Sequence, residues 1–242
     1  MIENTISFKD ITVILPVINE KISIDKTIHI LLKNNYKDIS EILFVISKEK
    51  TETASRIKCH YFHNLNKKKI KILYQKKKNL GGAMMDAFKN IKSSHCLMMS
   101  SDLETNPETA KKMIKISKIN PNKIITATRW LKGKRFVGYG YIKTILNLLF
   151  QKIFSYVFKT NCTDLTFGFR IFPKKVVQSI NWEMYDHSFL FETFIKPLKN
   201  NIKIIEVESN WKKRIEGKTN NKFSNYFKYF YIGFKVLALK KN

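Results

Sequence analysis

The sequence predicts an α/β fold in which helices cover both faces of a mostly parallel β-sheet. The first observation is that short, continuously apolar runs occur at residues 11–15, 42–46 and 70–74. Runs without polar alternation are typical of strands that are buried on both faces of a parallel sheet. The second observation is that a helical pattern follows each run, which favours consecutive strand–helix units.

The elements can be justified in chain order. The first strand is expected to end at Pro16, and the helix after it places Ile24, Ile28 and Leu31 on one face. An apolar run at residues 96–99 predicts a fourth strand, bounded by polar turn residues. Helical patterns are further expected near residues 51–57, 83–91, 109–116 and 142–158.

Chain length and composition indicate one compact domain, with or without a small appendage. The chain has 242 residues, of which 44% are hydrophobic, enough for a full core. No long stretch is free of charges and no leader-like segment is present, so we expect a cytoplasmic protein. Three widely spaced cysteines favour reduced thiols over a disulfide framework.

The formal net charge of +26 favours an anionic partner. Nucleic acid, an anionic membrane and phosphorylated substrates all fit that charge. A nucleic-acid-binding protein would need a basic stripe or a known binding module. The lysines are instead spread along the chain, so we expect no nucleic acid partner.

Two carboxylates follow the predicted fourth strand. Asp102 and Glu104 are expected on a loop at its carboxyl end, where open α/β sheets bind ligands. Carboxylates at this spacing can bind one hard cation, which in turn can hold a diphosphate. Alternatively, Asp102 caps the next helix, which Pro107 would open.

A glycine pair, Gly81 and Gly82, opens the predicted helix at residues 83–91. Glycine lets backbone N–H groups approach a phosphate or a base closely, yet it is also an ordinary way to begin a helix tightly. The pair therefore supports a nucleotide site only in combination with other motifs.

Such a combination is present. The motifs are ILPVINE at 14–20, NLGGA at 79–83, SSDLETNP at 100–107, TRW at 128–130 and TDLTFGFR at 163–170. In this order they resemble a family 2 glycosyltransferase of the GT-A fold, and more narrowly the dolichol- and polyprenyl-phosphate sugar transferases. The resemblance spans roughly residues 10–222. It predicts a catalytic domain at 1–222 followed by an amphipathic, aromatic and basic helical tail at 223–242.

The resemblance implies an inverting, metal-dependent transfer of a sugar from a UDP- or GDP-sugar to a polyprenyl or dolichyl phosphate. Mg²⁺ or Mn²⁺ would bind Asp102 and Glu104, while Ser100 replaces the first aspartate of the family motif. The residues that the resemblance and the glycine pair assign to the nucleotide-sugar are Pro16, Asn19, Glu20, Gly81, Gly82, Asp102, Arg214 and Lys218.

The same resemblance assigns the acceptor side. Arg129, Lys143 and Arg170 are expected to bind the acceptor phosphate, although Arg170 is equally able to orient Asp164. A lipid phosphate is already an anion and needs no general base. If the acceptor is a hydroxyl, Asp164 is the first candidate for the base and Glu192 the second, which gives Asp102, Asp164 and Glu192 as catalytic residues.

Several alternatives remain open on the sequence alone. Asp164 fits a purely structural role, as a cap or as a partner of Arg170. Ser100, together with Ser47 to Glu49 where relatives carry base-contacting aspartates, also fits a non-catalytic nucleotide-sugar-binding relative.

Two segments are candidates for membrane contact. The helix at 142–158 is explained equally well by a core and by an interfacial position, and the tail mixes Phe and Tyr with Lys. Aromatic and basic side chains suit the headgroup region of an anionic membrane. We expect peripheral attachment to the inner face of a membrane, either directly or through a membrane protein partner.

Overall fold

The structure is a computed structural model that describes residues 6–130, 140–216 and 226–239. Within these ranges the chain forms one seven-stranded sheet and eight helices. The strands are β1 Ile11–Val17, β2 Ile39–Ile46, β3 Ile70–Tyr74, β4 His95–Met98, β5 Ile124–Thr128, β6 Arg170–Pro173 and β7 Ile204–Glu208. The helices are α1 Ile22–Asn35, α2 Thr53–Leu65, α3 Asn79–Asn90, α4 Thr109–Ile119, α5 Tyr141–Val157, α6 Lys174–Ser179, α7 Phe189–Lys199 and α8 Tyr226–Ala238.

The strand order is β3-β2-β1-β4-β6-β5-β7. All neighbouring pairs are parallel except those made by β6, which runs antiparallel to both β4 and β5. The prediction of an α/β fold with a mostly parallel sheet flanked by helices is therefore confirmed. The antiparallel strand was not predicted, because Arg170 and Pro173 leave only Ile171 and Phe172 as an apolar run within it.

The sheet has a topological switch point between β1 and β4. The chain leaves β1 toward β2 on one side, while β4 pairs with β1 on the other. Connections that diverge in this way leave a crevice at the carboxyl ends of the two strands. The loops 18–21 and 99–106 therefore meet at this crevice.

Burial on both faces explains the continuous apolar runs. Val13 and Leu15 pack into one hydrophobic cluster with α1 and α4, whereas Ile14 packs into a second cluster with α3. All three side chains are fully buried. Alternate residues of β1 thus serve the two layers of helices.

Some boundaries differ from the sequence predictions. Pro16 lies inside β1, where its carbonyl accepts a hydrogen bond from the Ser101 hydroxyl at 2.8 Å. The absence of an N–H on Pro16 is tolerated because β4 pairs with β1 only as far as Ile14. In addition, β2 begins at Ile39, before the predicted start at Ile42. The polar residues Ser40 and Glu41 interrupt the apolar run, so the sequence pattern did not indicate this part of the strand.

The C-terminal helix α8 is packed into the core. Ile232 and Val236 are fully buried, and a Cβ on Gly233 would lie 2.5 Å from the Phe154 ring of α5. The predicted boundary between residues 222 and 223 lies outside the described residues. In the described ranges, no helix combines the length and the hydropathy that a bilayer crossing requires.

Candidate active site

A cleft of about 1180 Å³ lies at the carboxyl ends of the central strands. It begins at the switch point and extends toward α8. Its walls come from the loops after β1 and β4, the start of α3, Arg129 after β5, the loop before α7 and the segment after β7. The predicted site residues that line it are Pro16, Asn19, Glu20, Asp102, Glu104, Arg129 and Arg214.

The Asp102–Glu104 turn directs two carboxylates to one place. Leu103 has φ 63°, a left-handed conformation that is costly for a side chain with a Cβ. The Asp102 carboxylate stabilises the turn by accepting the Glu104 N–H at 3.0 Å. Asp102 is 5% exposed and does not cap α4, which begins only at Thr109. Backbone strain at this kind of position is typical of functional loops.

Arg214 bridges the two carboxylates. Its Nη2 lies 3.0 Å from Asp102 Oδ2 and its Nε lies 2.8 Å from Glu104 Oε1. Burial alone would lower the pKa of Arg214, but the hydrogen bond to Glu104 and the charge of Asp102 raise it. The guanidinium shows that both carboxylates converge on a single cation.

This geometry fits a divalent cation that is also held by phosphate oxygens. No group of three or more His, Cys, Asp or Glu side chains in the described ranges is arranged as a complete metal site. Mg²⁺ commonly uses only one or two protein carboxylates together with phosphates and water. Asp102 and Glu104 can supply such a partial set of ligands.

Ser100 closes the loop after β4. Its hydroxyl lies 3.0 Å from the Thr105 hydroxyl, and Thr105 in turn pairs with Trp211 of the segment after β7. The residue that replaces the first aspartate of the family motif thus helps to tie the carboxylate turn to the Arg214 segment.

Glu20 folds the loop after β1. Its carboxylate accepts the backbone N–H groups of Ile18 at 2.7 Å and Asn19 at 3.0 Å. Burial raises the pKa of Glu20, and the charge of nearby Asp102 adds to that rise. Glu20 therefore shapes the end of the cleft beside the loop after β1, which Asn19 and Pro16 also line.

Gly81 and Gly82 do not line the cleft. The Gly81 N–H donates to the Tyr185 carbonyl at 2.8 Å, so it is already used within the protein. A Cβ on Gly81 would lie 2.1 Å from the Met184 carbonyl oxygen, and one on Gly82 would lie 2.7 Å from the Lys77 backbone. The pair allows α3 to pack closely against two backbone segments.

Arg129 and Asp164 form a two-point ion pair at the cleft wall. Nε of Arg129 lies 2.7 Å from Oδ2 of Asp164, and Nη2 lies 2.9 Å from Oδ1. The Asp164 N–H and the Thr163 N–H both donate to the Glu206 carboxylate of β7. Asp164 is fully buried, does not line the cleft and pairs with Arg129 rather than with Arg170.

Arg170, the first residue of β6, is fully buried. Its guanidinium donates to the Thr126 and Thr193 hydroxyls and to the Leu165 carbonyl. Burial lowers its pKa to about 10, which still leaves it charged at pH 7. With its donors satisfied inside the protein, Arg170 has no route to an acceptor phosphate in this structure.

Three further predicted residues lie elsewhere. Glu192 is fully buried, pairs with Lys196 at 2.6 Å and accepts the N–H groups of Glu183 and Met184, so it has no access to the cleft. Lys143 is exposed on α5 and does not line the cleft. Lys218 lies outside the described residues.

The structure adds Asp186, His187 and Lys228 to the cleft. Lys228 of α8 contacts the Asp186 carboxylate at 2.5 Å. Burial alone would raise the pKa of Asp186, but hydrogen bonds from Lys228 and Ser188 lower it. Burial lowers the pKa of His187, which is therefore neutral at pH 7. In the sequence, Asp186 and Ser188 resemble helix-capping residues before an apolar run, which gives no hint of a cleft.

Comparison with known proteins decides the family. Residues 12–180, well over half of the chain, match the family model for glycosyl transferase family 2. The chain belongs to glycosyl transferase family 2. The carboxylate turn of this family 2 glycosyltransferase lies within the matched region, whereas Arg214 and α8 lie beyond it.

Solved structures of glucosyl-3-phosphoglycerate synthase from Mycobacterium tuberculosis share the fold of this family 2 glycosyltransferase. The complex with Mn²⁺, UDP and phosphoglyceric acid has a TM-score of 0.71 and 11% identity, over 96% of this chain and 80% of that chain. The complex with phosphoglyceric acid has a TM-score of 0.73 and 11% identity, over 96% and 81%. The complex with Mn²⁺, UDP-glucose and phosphoglyceric acid has a TM-score of 0.69 and 10% identity, over 96% and 81%.

Proposed function

We propose that the protein transfers a sugar, with inversion and with Mg²⁺ or Mn²⁺, from a UDP- or GDP-sugar to a polyprenyl or dolichyl phosphate. The first half of the proposal, binding of a nucleotide-sugar donor, is supported by the convergence of Asp102, Glu104 and Arg214 at the switch-point crevice. Bound Mn²⁺ and UDP in similarly folded proteins support the same half. The second half of the proposal is the lipid phosphate acceptor.

At the donor end, the chain neutralises the leaving group. Asp102 and Glu104 would hold the divalent cation, whose positive charge would stabilise the departing diphosphate. Arg214, released from the carboxylates, can grip diphosphate oxygens through two parallel hydrogen bonds. Asn19 and Pro16 line the cleft beside the loop after β1, and we assign them to the nucleotide.

The reaction is then a single displacement. An acceptor oxygen forms a bond to the anomeric carbon while the bond from that carbon to the diphosphate breaks, and the nucleoside diphosphate leaves. A lipid phosphate oxygen is already negative at neutral pH, so no proton has to be removed. The role of the chain is to bring two anions together, which needs positive side chains near both.

The acceptor end supplies such side chains. Arg129 and Lys228 both line the cleft. Asp164 fixes the direction of the Arg129 guanidinium, because it binds two of its donor nitrogens. We assign Arg129 and Lys228 to the acceptor phosphate. Lys143 and Arg170 drop out of that role because neither lines the cleft.

The lipid part of the acceptor is supported by exposed apolar side chains on α5 and α8. The two helices pack together, with Phe150 of α5 5.5 Å from Phe230 of α8 between ring centroids. Their outward faces nevertheless leave large side chains in solvent. These are Tyr141, Ile142, Ile145, Leu146, Leu149, Ile153 and Tyr156 on α5, and Phe227, Phe230, Tyr231 and Phe234 on α8.

We propose that this apolar face rests on the inner surface of an anionic membrane, directly or beside a membrane protein partner. The net charge of +26 is complementary to anionic lipids. Lys228, which lies in α8 next to exposed Phe227, also lines the cleft. The same helix would thus touch the lipid surface and the acceptor phosphate.

A second acceptor class is favoured by Asp186. If the acceptor is a hydroxyl on a phosphorylated molecule, Asp186 is the cleft carboxylate that can take its proton, and its lowered pKa keeps it ionised at neutral pH. Asp164 and Glu192 are both buried in other contacts. Phosphoglyceric acid in the similarly folded synthase is an example of such an acceptor.

The deciding experiment measures nucleoside diphosphate release from UDP- and GDP-sugars with Mn²⁺, using either a polyprenyl phosphate or 3-phosphoglycerate as acceptor. Release that requires polyprenyl phosphate and that survives Asp186→Asn supports the lipid phosphate. Release that requires 3-phosphoglycerate and is lost in Asp186→Asn supports the hydroxyl acceptor and rejects the lipid.

A further inference from the structure

Arg214 contacts both carboxylates, Asp102 and Glu104, that would hold the metal ion. The guanidinium lies 3.0 Å from one carboxylate and 2.8 Å from the other, and the three side chains are 19%, 6% and 25% exposed for Arg214, Asp102 and Glu104. Two neighbouring carboxylates repel each other in such a shielded place unless a cation lies between them. Here the protein supplies that cation itself.

The backbone around Arg214 is fixed on both sides. Upstream, Trp211 pairs with Thr105, and the Ser209 N–H donates to the Thr128 carbonyl at 3.0 Å. Downstream, the Glu216 carboxylate accepts the N–H groups of Lys21 and Ser23. The guanidinium can therefore leave the carboxylates by rotation of its own long side chain, without displacement of the segment.

We propose that Arg214 is an internal counter-ion that competes with the divalent cation for Asp102 and Glu104, so that metal and nucleotide bind cooperatively. A metal alone must displace the guanidinium from both carboxylates, which costs the contacts at 3.0 Å and 2.8 Å. A nucleoside diphosphate that arrives with the metal offers the guanidinium new anionic oxygens. By linkage, each ligand then strengthens the binding of the other by the same factor.

This inference rests on the proposed function, because it assumes that Asp102 and Glu104 bind the metal. It goes further in assigning relative affinities. The protein binds free metal weakly and binds the complex of metal with the nucleotide-sugar tightly. Such an arrangement favours entry of the cation together with its nucleotide. It also keeps one of the two negative charges balanced when no metal is bound.

The test is a Mn²⁺ titration followed by the electron paramagnetic resonance signal of free Mn²⁺, with and without UDP or GDP. The full chain, Arg214→Gln and the matched control Lys213→Gln are compared, and a protein-free titration corrects for Mn²⁺ bound to nucleotide. Lys213 is exposed and adjacent, so the control removes the same charge from the same segment.

We expect Arg214→Gln to bind Mn²⁺ alone at least about tenfold more tightly than the unmodified chain, about 1.4 kcal/mol. The further gain in Mn²⁺ affinity on adding nucleotide should be smaller in this variant, while Lys213→Gln behaves like the unmodified chain. The inference is overturned if Arg214→Gln binds Mn²⁺ alone no more tightly than the unmodified chain does. It is also overturned if Lys213→Gln tightens the binding of Mn²⁺ alone as much as Arg214→Gln does.

Two additional variants keep the result interpretable. Arg214→Lys retains the charge but loses the two-point contact, and it is expected to bind Mn²⁺ with intermediate affinity; it replaces Arg214→Gln if that variant does not fold. Asp102→Asn tests the proposed function separately. If Mn²⁺ binding is unchanged in Asp102→Asn, the metal site itself is rejected. If Asp102→Asn loses Mn²⁺ binding but Arg214→Gln leaves the Mn²⁺ affinity unchanged, only the counter-ion role of Arg214 is rejected.

Discussion

Arg129 binds both carboxylate oxygens of Asp164, with Nε 2.7 Å from Oδ2 and Nη2 2.9 Å from Oδ1. The Asp164 carboxylate is fully buried and the Arg129 side chain is 11% exposed. This contact joins the end of β5 to the loop before β6, and it fixes a cation on the wall of the cleft.

Asp164→Asn is expected to destabilise the fold by about 3 kcal/mol, because removing one partner of a buried ion pair leaves the other charge uncompensated. The measurement is the free energy of unfolding from urea denaturation. Asp25→Asn, which removes a carboxylate from the exposed pair with Lys58 at 2.8 Å, is the control and should cost less than about 1 kcal/mol. If the two substitutions lowered the free energy of unfolding equally, the buried ion pair would contribute no more to stability than the exposed one.

The two glycines at helix starts differ sharply in their surroundings. A Cβ at Gly81 would lie 2.1 Å from the Met184 carbonyl, whereas a Cβ at Gly140 would have no neighbour within 4 Å. Gly81→Ala should therefore lower the free energy of unfolding by about 2 kcal/mol or more, and Gly140→Ala by less than about 1 kcal/mol. Thermal or urea unfolding of both variants checks this; a harmless Gly81→Ala would contradict the close packing.

His95 provides a pH-dependent part of the stability. It is fully buried, with Nε2 2.8 Å from the Pro121 carbonyl, and burial lowers its pKa. The folded state then binds its proton less readily than the unfolded state. This contribution is complete above the unfolded pKa of about 6.5 and is lost as the pH falls through the lower folded value.

His95→Gln should consequently lose less stability than the unmodified chain between pH 7.5 and pH 5. Urea denaturation at the two pH values measures the difference. His29→Gln, at an exposed position on α1, should follow the unmodified chain. An unchanged pH dependence in His95→Gln would mean that His95 does not titrate differently in the two states.

If α5 binds a membrane, acidic substitutions on its exposed face should weaken the binding of the protein to vesicles. Leu146 and Leu149 are 56% and 50% exposed. Replacing either by Glu should weaken binding to vesicles that contain phosphatidylglycerol by roughly tenfold, since each buried leucine contributes about 1.5 kcal/mol or more. Co-sedimentation measures this, and Ile57→Glu on α2, where Ile57 is 64% exposed, is the control. If the unmodified chain does not bind these vesicles, the membrane proposal is wrong.

Local patterns predicted the N-terminal strands and the carboxylate turn because these follow regular rules of strand and turn formation. The runs at 11–15 and 42–46 lie within buried strands, the run at 70–74 forms the half-buried edge strand β3, and the carboxylate turn follows β4 as expected. The family resemblance is likewise confirmed by the family match. For each strand and for the turn, one short stretch of sequence carries the signal, whereas the resemblance rests on five motifs in order.

The part of the cleft near Arg129 and α8 depends on contacts between distant segments. Arg170, Asp164 and Glu192 have the residue types expected of a site, yet all three are buried, and their burial is decided by strands and helices far away in sequence. Conversely, Lys228 reaches the cleft only because α8 folds back onto α7 and the loop before it. A charged residue in a motif therefore indicates chemistry only once its surroundings are known.

The central claim is a metal-dependent nucleotide-sugar site built on Asp102. Its most direct test is release of UDP or GDP from a panel of nucleotide sugars with Mn²⁺, comparing the unmodified chain with Asp102→Asn and with the control Asp25→Asn. We predict that at least one donor is turned over only when Mn²⁺ is present, that Asp102→Asn lowers the rate by about 100-fold or more, about 2.7 kcal/mol, and that Asp25→Asn does not. Turnover that is unaffected by Asp102→Asn or by removal of divalent cations would contradict the claim.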